Sequence, residues 1–363
     1  MILDKCSIIF HAGNCLNVKM PYPKQCRDCL LNCPHDAISE KMEIDNKKCT
    51  ECGACMSVCP SDGFVDKKID DLRDYLFNSE EIVLNCPQAK SLGYEISCIG
   101  MLDKDAWIVL MLLAEQKKVS ILTGDCGKCD DRQACVISVS KIKEIKNEWP
   151  DHPKINIQVM PDLDDREKVP TVNDLGKVVD HCKEYGKGKG EEDKEFSRRE
   201  AFLGLRKNGK EKVKSFLPSI VAEEIYPITK TRQWLSDVLK NSPDKKIPFK
   251  ALKANDKCTN CGVCAKICPQ KALSLVQKDG KIRLIYEALK CVQCNRCVDI
   301  CGPEALKFDV IPLSYKFFTG KILLRESVPR YCSKCGRQIF HNAEPRLCMA
   351  CAAKDPSLKG KLY

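Results

Sequence analysis

Apolar and polar positions change period several times along the chain, and the changes mark separate units. Glu81 to Asn85 and Val119 to Thr123 are short apolar runs of strand type, and Ile155 to Met160 alternates as a half-buried strand does. Between the first two runs, Asp103 to Gln116 has helical spacing with apolar residues nearly all round. This predicts a buried helix with Asp103 as its N-cap. Strands alternating with helices predict a small α/β parallel-sheet domain over residues 78–162. Farther on, Phe196 to Phe216 and Ile220 to Lys240 have amphipathic helical spacing, anchored by Phe202, Leu203, Trp234 and Leu235. They follow a Gly, Lys and Glu run, Lys187 to Lys194, so residues 163–250 are expected to be a charged linker with helices. These helices either pack across the two halves of the chain or present a docking face to another subunit.

Elsewhere the organising residue is cysteine, of which there are 27 in 363 residues. Secreted disulfide scaffolds this rich are usually short, whereas here the cysteines fall in ligand spacings, which points to reduced thiolates on metal. In residues 251–312, Cys258, Cys261, Cys264 and Cys268 keep the spacing C-x2-C-x2-C-x3-C, followed by Pro269. Cys291, Cys294, Cys297 and Cys301 repeat it. Three thiolates two residues apart can wrap one corner of a [4Fe-4S] cube, while the fourth reaches the neighbouring cube. The expected sets are therefore Cys258, Cys261, Cys264 and Cys301, and Cys268, Cys291, Cys294 and Cys297. The stretch resembles the bacterial two-cluster ferredoxins, including a small residue four places after the last cysteine of each run, Ala272 and Ala305. It departs from them at Gly302, which stands where proline is expected, with Pro303 one place late.

Residues 1–77 resemble a second module of the same kind, the main internal repeat of the chain. Cys49, Cys52, Cys55 and Cys59 form a complete run; Cys26, Cys29 and Cys33 form an incomplete one with Pro23 at the missing position. Ala37 and Gly63 are the small residues here. One expected set is Cys33, Cys49, Cys52 and Cys55. The other is Cys15, Cys26, Cys29 and Cys59, with Cys6 as the competitor for Cys15 and a three-thiolate [3Fe-4S] cluster as a further possibility.

In the α/β domain, Cys86, Cys98, Cys126 and Cys129 occur where strands give way to loops, as ligands do at the carboxyl ends of a parallel sheet. Gly124 and Gly127 leave room there for close backbone approach. The Ser97-Cys98-Ile99-Gly100 turn and the Gly124-Asp125-Cys126 loop resemble the small iron–sulfur (delta) subunit of methyl-viologen-reducing hydrogenases, which passes electrons to a flavin-containing heterodisulfide reductase. The resemblance implies a [2Fe-2S] or [4Fe-4S] cluster on those four cysteines. The chain departs from the family in having a single cysteine at Cys86 and a C-x2-C pair in the last loop. Cys135 falls in the next predicted helix and reads as core.

Residues 313–363 carry Cys332, Cys335, Cys348 and Cys351, two C-x2-C knuckles twelve residues apart, with Gly336 after the first. The pattern resembles zinc ribbons and suits a structural zinc ion, with a rubredoxin-like iron site as the alternative. His341 lies between the knuckles as a surface residue. Of the 27 cysteines only Cys6, Cys135 and Cys182 are left without a ligand role.

The formal charge of +10 changes meaning in this light. Six four-thiolate sites at about −2 each take it to about −2, so the basic excess offsets metal sites and is no argument for nucleic acid. Met1 to Lys19 has no apolar core of signal-peptide length, and the longest apolar run, Ala106 to Ala114, is too short to span a bilayer. Ser197 to Leu203 mimics a twin-arginine signal but lies mid-chain. Gly186, Gly188 and Gly190 lie in the linker and follow no strand, so they form no dinucleotide fingerprint.

The fold class expected is thus α+β multidomain: two ferredoxin-like modules, a small α/β domain, a helical linker and a zinc-ribbon-like tail. The expected function is multi-cluster electron transfer in the cytoplasm of an anaerobe. The chain would carry four [4Fe-4S] clusters, one further cluster and zinc, and would serve a flavoprotein or metalloenzyme partner as a subunit more than as an enzyme. The alternatives are a reductase whose middle cluster binds substrate, and a redox sensor that binds nucleic acid.

Overall fold

The computed structural model describes residues 6–20, 22–159, 228–340 and 344–355. The linker 187–194, the helix expected over 196–216, the first part of that over 220–240, Cys182 and His341 lie outside the described residues. The chain forms two compact units, residues 1–248 with 312–315, and residues 249–311 with 316–363.

The first unit begins with β1 (Ile8–Phe10), which pairs antiparallel with β2 (Phe64–Asp66) and so closes the N-terminal module on itself. Phe10 and Phe64 face each other across this pair with ring centroids 5.0 Å apart. Between the strands lie three helices of about one turn: α1 (Leu16–Lys19), α2 (Asp28–Leu31) and α3 (Ala54–Val58). Helix α4 (Ile69–Asn78) follows, burying Ile69, Leu72 and Leu76 at helical spacing.

A four-stranded parallel sheet comes next: β3 (Ile82–Asn85), β4 (Tyr94–Glu95), β5 (Val119–Thr123) and β6 (Asn156–Val159), in the order β4-β3-β5-β6. All five residues of β5 are buried, as expected of a central parallel strand covered on both faces. Helix α5 (Lys104–Leu113) is buried almost throughout, and the Asp103 carboxylate caps it by accepting from the Ala106 amide at 2.8 Å. Trp107 Nε1 donates to Ser138 Oγ of α6 (Arg132–Glu148) at 2.8 Å, so the polar edge of the ring is satisfied in the core. Helix α7 (Lys230–Asn241) packs on α5 through buried Trp234, Leu235 and Leu239, with Arg232 paired to Asp105 at 2.5 Å.

In the second unit β7 (Ile247–Ala254) pairs with β10 (Leu306–Leu313). Between them lie α8 (Val263–Ile267), the antiparallel hairpin of β8 (Leu273–Lys278) and β9 (Lys281–Glu287), and α9 (Arg296–Asp299). The hairpin turns through Asp279 and Gly280, both left-handed, the pairing that a two-residue turn requires. After α10 (Tyr315–Thr319), whose Phe318 packs edge-on against Phe249, β11 (Lys321–Ser327) pairs with the free edge of β9. The residues of β11 lie in the stretch grouped by sequence with the tail, yet they complete the module's three-stranded sheet. A small hairpin, β12 (Arg330–Tyr331) and β13 (Gln338–Ile339), and helix α11 (Met349–Ala352) form the terminal knuckles.

Candidate metal centres

Each complete cysteine run curls by the same device. The residue two places after the first cysteine and the residue four places after it are left-handed: Glu51 and Gly53, Asn260 and Gly262, Gln293 and Asn295. Alternating left-handed residues wind the chain into a concave nest, the backbone form that receives anions and iron–sulfur centres. The second of each pair then starts a short helix, α3, α8 or α9. In the incomplete run the equivalent of Gly53 is Arg27, with φ −129°, so the nest is absent where the cysteine is.

A second device follows the last cysteine of all four runs. Asp36, Asp62, Lys271 and Glu304 are left-handed and turn the next amide back. Ala37, Gly63, Ala272 and Ala305 then donate to Sγ of Cys33, Cys59, Cys268 and Cys301 at 3.3, 3.1, 3.3 and 3.3 Å. This gives the small residues their reason: a Cβ at Gly63 would lie 3.2 Å from Cys59 Sγ.

The thiols converge accordingly. Cys15, Cys26, Cys29 and Cys59 line one space walled by Phe10, Leu16, Met42 and Phe64. Burial raises Cys55 far above the ordinary thiol range, and the like charges of Cys52, Cys49 and Cys33 add to it. Cys29 of the first set stands next in that field, so the two sets adjoin. Cys6 lies 3.7 Å from Cys49, sulfur to sulfur, and so neighbours the other set from the one in which it competes with Cys15. In the second unit burial drives Cys264 up to about 12, with Cys261, Cys258 and Cys301 contributing. Cys268, Cys291, Cys294 and Cys297 line a space walled by Leu252, Leu273, Tyr286 and Phe308. Burial and mutual repulsion disfavour the bare thiolates, and a bound metal would take the proton's place.

The middle domain places its cysteines at the carboxyl ends of strands: Cys86 after β3, Cys98 after β4, Cys126 and Cys129 after β5. Burial lifts Cys98 to about 12, with the charges of Cys126, Cys52 and Cys86 adding to it. Backbone amides again point at sulfur, Gly100 to Cys98 at 3.3 Å and Gly124 to Cys86 at 3.4 Å. A Cβ on Gly124 would meet the Gln88 carbonyl at 2.4 Å, so only glycine fits there. Cys135 is buried in α6 as expected, but its side chain also hydrogen-bonds Cys126 and draws that thiol down. One turn of helix from Asp131 gives Cys135 that reach, and its position in the predicted helix was the only signal of it in the sequence.

In the tail the sulfurs of Cys332, Cys335, Cys348 and Cys351 all lie within 4.8 Å of one another, Cys335 and Cys348 at 3.6 Å. Tetrahedral thiolates about 2.3 Å from a zinc ion stand roughly 3.8 Å apart, so the four fit such an ion. The backbone amide of Cys348, then those of Lys334 and Cys335, draw the Cys332 thiol below its ordinary range.

A polar cleft of about 230 Å³, which the sequence did not reveal, is lined by Ser7, Thr50, Glu51, Asp66, Tyr94 and Ser97, among others. Ser7, Thr50, Glu51, Pro87 and Ser97 of its lining stand next to cysteines of the first module and the middle set in sequence, and no sequence motif marks it.

These geometries belong to a known class. Residues 257–305 match the 4Fe-4S dicluster domain and residues 42–64 the 4Fe-4S binding domain, so the chain carries two ferredoxin-type iron–sulfur domains. Among characterised sequences, it is similar to dihydromethanopterin reductase (acceptor) of Methanosarcina mazei, 40% identical over 78 residues, which cover 18% of this chain and 33% of that protein. It is also similar to an uncharacterized protein of Haemophilus influenzae, 50% identical over 34 residues, 9% of this chain and 20% of that one. The chain thus spans a third or less of the length of these relatives. Among the described residues no helix is long and apolar enough to cross a membrane.

Proposed function

We propose that this chain is a multi-cluster electron-transfer subunit of a soluble anaerobic oxidoreductase complex, relaying electrons between a redox donor and a catalytic or flavin-containing partner. The observation that carries this reading is the repeated convergence of four thiols under amides aimed at sulfur. Cys15, Cys26, Cys29 and Cys59 would hold one [4Fe-4S] cluster and Cys33, Cys49, Cys52 and Cys55 a second. Cys258, Cys261, Cys264 and Cys301 would hold a third and Cys268, Cys291, Cys294 and Cys297 a fourth. Cys86, Cys98, Cys126 and Cys129 would hold a fifth, of two or four irons, and the tail knuckles zinc. Such clusters supply one-electron chemistry, with potentials set by charge, hydrogen bonds to sulfur and exposure. The chain's part is to fix the thiols, aim the amides and keep water out with Phe10, Phe64, Tyr286 and Phe308. Reduced thiols in this number suit a reducing cytoplasm. By its likeness to the hydrogenase delta subunit, the middle domain is the docking end for the flavin-containing partner.

Anaerobic purification with iron and sulfide analysis tests this. About 16 irons from the four cubes, and two or four more from the middle set, are expected, with several midpoint potentials in a redox titration. An iron-poor protein with no reversible one-electron signal would end the proposal.

The polar cleft favours a second reading, a reductase that binds a small acceptor beside the first module and the middle set. Dihydromethanopterin, named by the Methanosarcina relative, is the first acceptor to try. Under this reading the acceptor alters the cluster spectra of the isolated chain; under the relay reading it leaves them unchanged.

A further inference from the structure

The N-terminal module and the middle domain lie within the same compact unit and share a packed boundary. Cys52, Ala54 and Ala134 form one buried cluster, and Cys98 packs against it. Cys52 comes from the N-terminal module and Cys98 from the middle domain. The backbones approach closely across this boundary: a Cβ on Gly53, the residue after Cys52, would lie 2.4 Å from Met101 Cβ and 3.0 Å from Met101 Cα. A single carboxylate oxygen spans the same junction. Asp131 Oδ1, two residues after Cys129 and at the head of α6, accepts from His35 Nε2 at 2.7 Å and from Thr50 Oγ1 at 2.6 Å. His35 stands two residues after Cys33, and Thr50 lies between Cys49 and Cys52. Lys141 of the same helix donates to the Ser57 carbonyl at the end of α3. Helix α6 therefore grips the nest of Cys33, Cys49, Cys52 and Cys55, while Cys15, Cys26 and Cys59 belong to the set beyond it.

Resting on the relay reading above, we infer that the middle set would exchange electrons with the cube of Cys33, Cys49, Cys52 and Cys55 alone, across the boundary where Cys98 packs against the cluster of Cys52, Ala54 and Ala134, and that Asp131 is the positioning residue of this junction. The cube of Cys15, Cys26, Cys29 and Cys59 is then reached only through its neighbour. Close packing of small residues keeps two carriers near and fixed, which electron transfer between them requires, and a shared hydrogen-bond acceptor holds the register.

The test is electron paramagnetic resonance of the fully reduced holoprotein, with iron counted in every sample. Wild type is expected to show, beyond the mutual coupling of the two adjoining first-module cubes, an additional splitting and faster relaxation from the middle set's spin. Cys126→Ser should lose only the middle iron and, with it, that additional splitting, leaving the coupling within the module. Asp131→Ala should keep its iron and show weakened splitting, whereas Asp131→Asn, which retains an acceptor oxygen, should resemble wild type. Iron loss in Cys126→Ser with the first-module spectrum unchanged would overturn the junction and leave the relay reading standing. Unchanged iron in that variant would overturn the junction, since the middle set would then hold no cluster through Cys126, while the relay reading fails only on an iron-poor wild type. An Asp131→Ala protein with native splitting, or one that sheds the middle iron, would overturn the positioning role.

Discussion

The Gly63 amide donates to Cys59 Sγ across 3.1 Å, while its α-carbon faces Phe10 and Cys15 with little space to spare. At the equivalent position the other three runs carry alanine, so one methyl is compatible with the amide–sulfur bond. At Gly63 that methyl would sit 3.2 Å from the sulfur, with Phe10 at 3.7 Å and the Cys15 backbone at 3.8 Å. Gly63→Ala is therefore expected to keep its iron. Gly63→Val, whose branches must enter Phe10 or Cys15, should lose the cube of Cys15, Cys26, Cys29 and Cys59, a fall of about four irons per chain.

The two N-terminal cysteines should separate cleanly. Cys15 lines the space shared with Cys26, Cys29 and Cys59, whereas Cys6 stands beside Cys49, whose set already has four thiols. Cys15→Ser should cost about four irons, or about one if a three-iron cluster survives. Cys6→Ser should keep iron at the native level. Equal loss in the two variants would contradict the partition.

The contrast between these cysteines shows where the sequence was informative. The nests of the complete cysteine runs are legible because fixed spacings translate directly into a wrapped backbone, and Asp103 is legible as a cap because its partner is three residues away. The β8–β9 hairpin has its local signal in Asp279-Gly280, whose left-handed pair makes the turn. The neighbour of Cys6 was not legible, because Cys49 is 43 residues distant and depends on how β1 pairs with β2. Asp131 is the extreme case. It looks like one more acidic residue in a polar loop, and only the packing of α6 brings it to His35 and Thr50, 96 and 81 residues away.

Arg232 and Asp105, both nearly buried, tie α7 to α5. Removing one partner leaves the other charge in the core, at a cost of about 3–5 kcal/mol. Arg232→Ala should lower the denaturation midpoint accordingly. Arg232→Ala with Asp105→Asn should recover part of the loss, since no unpaired charge then remains. Additive losses in the double-mutant cycle would show that the pair is not coupled.

Asp62 predicts a pH dependence. Burial raises its carboxyl to about 6, with the charges of Asp103 and Asp105 adding to it, although the Lys230 amide donates to it at 2.6 Å. The native protein holds this proton up to about pH 6, while the unfolded chain releases it near 4, so stability falls as pH rises through that window. Asp62→Asn keeps an acceptor for the amide and carries no charge. Its advantage over wild type should grow from about pH 4 to 6 and level off above, by at most about 3 kcal/mol. A constant difference across that range, measured by chemical denaturation, would mean that the carboxyl titrates normally.

The tail gives the sharpest separation of metals. Its sulfurs stand close enough for one tetrahedral ion and too close to wrap a cube, and among the described residues their buried core is Ile339, Leu347 and Ala352 with two of the cysteines themselves. So small a core relies on its metal for folding energy. Replacing Cys335 and Cys348 by serine should release one zinc ion per chain and expose residues 330–355 to proteolysis. Iron and the cluster spectra of both modules should stay at native levels. Loss of a single iron in place of zinc would assign the knuckles to a rubredoxin-like centre, with a one-electron potential of its own.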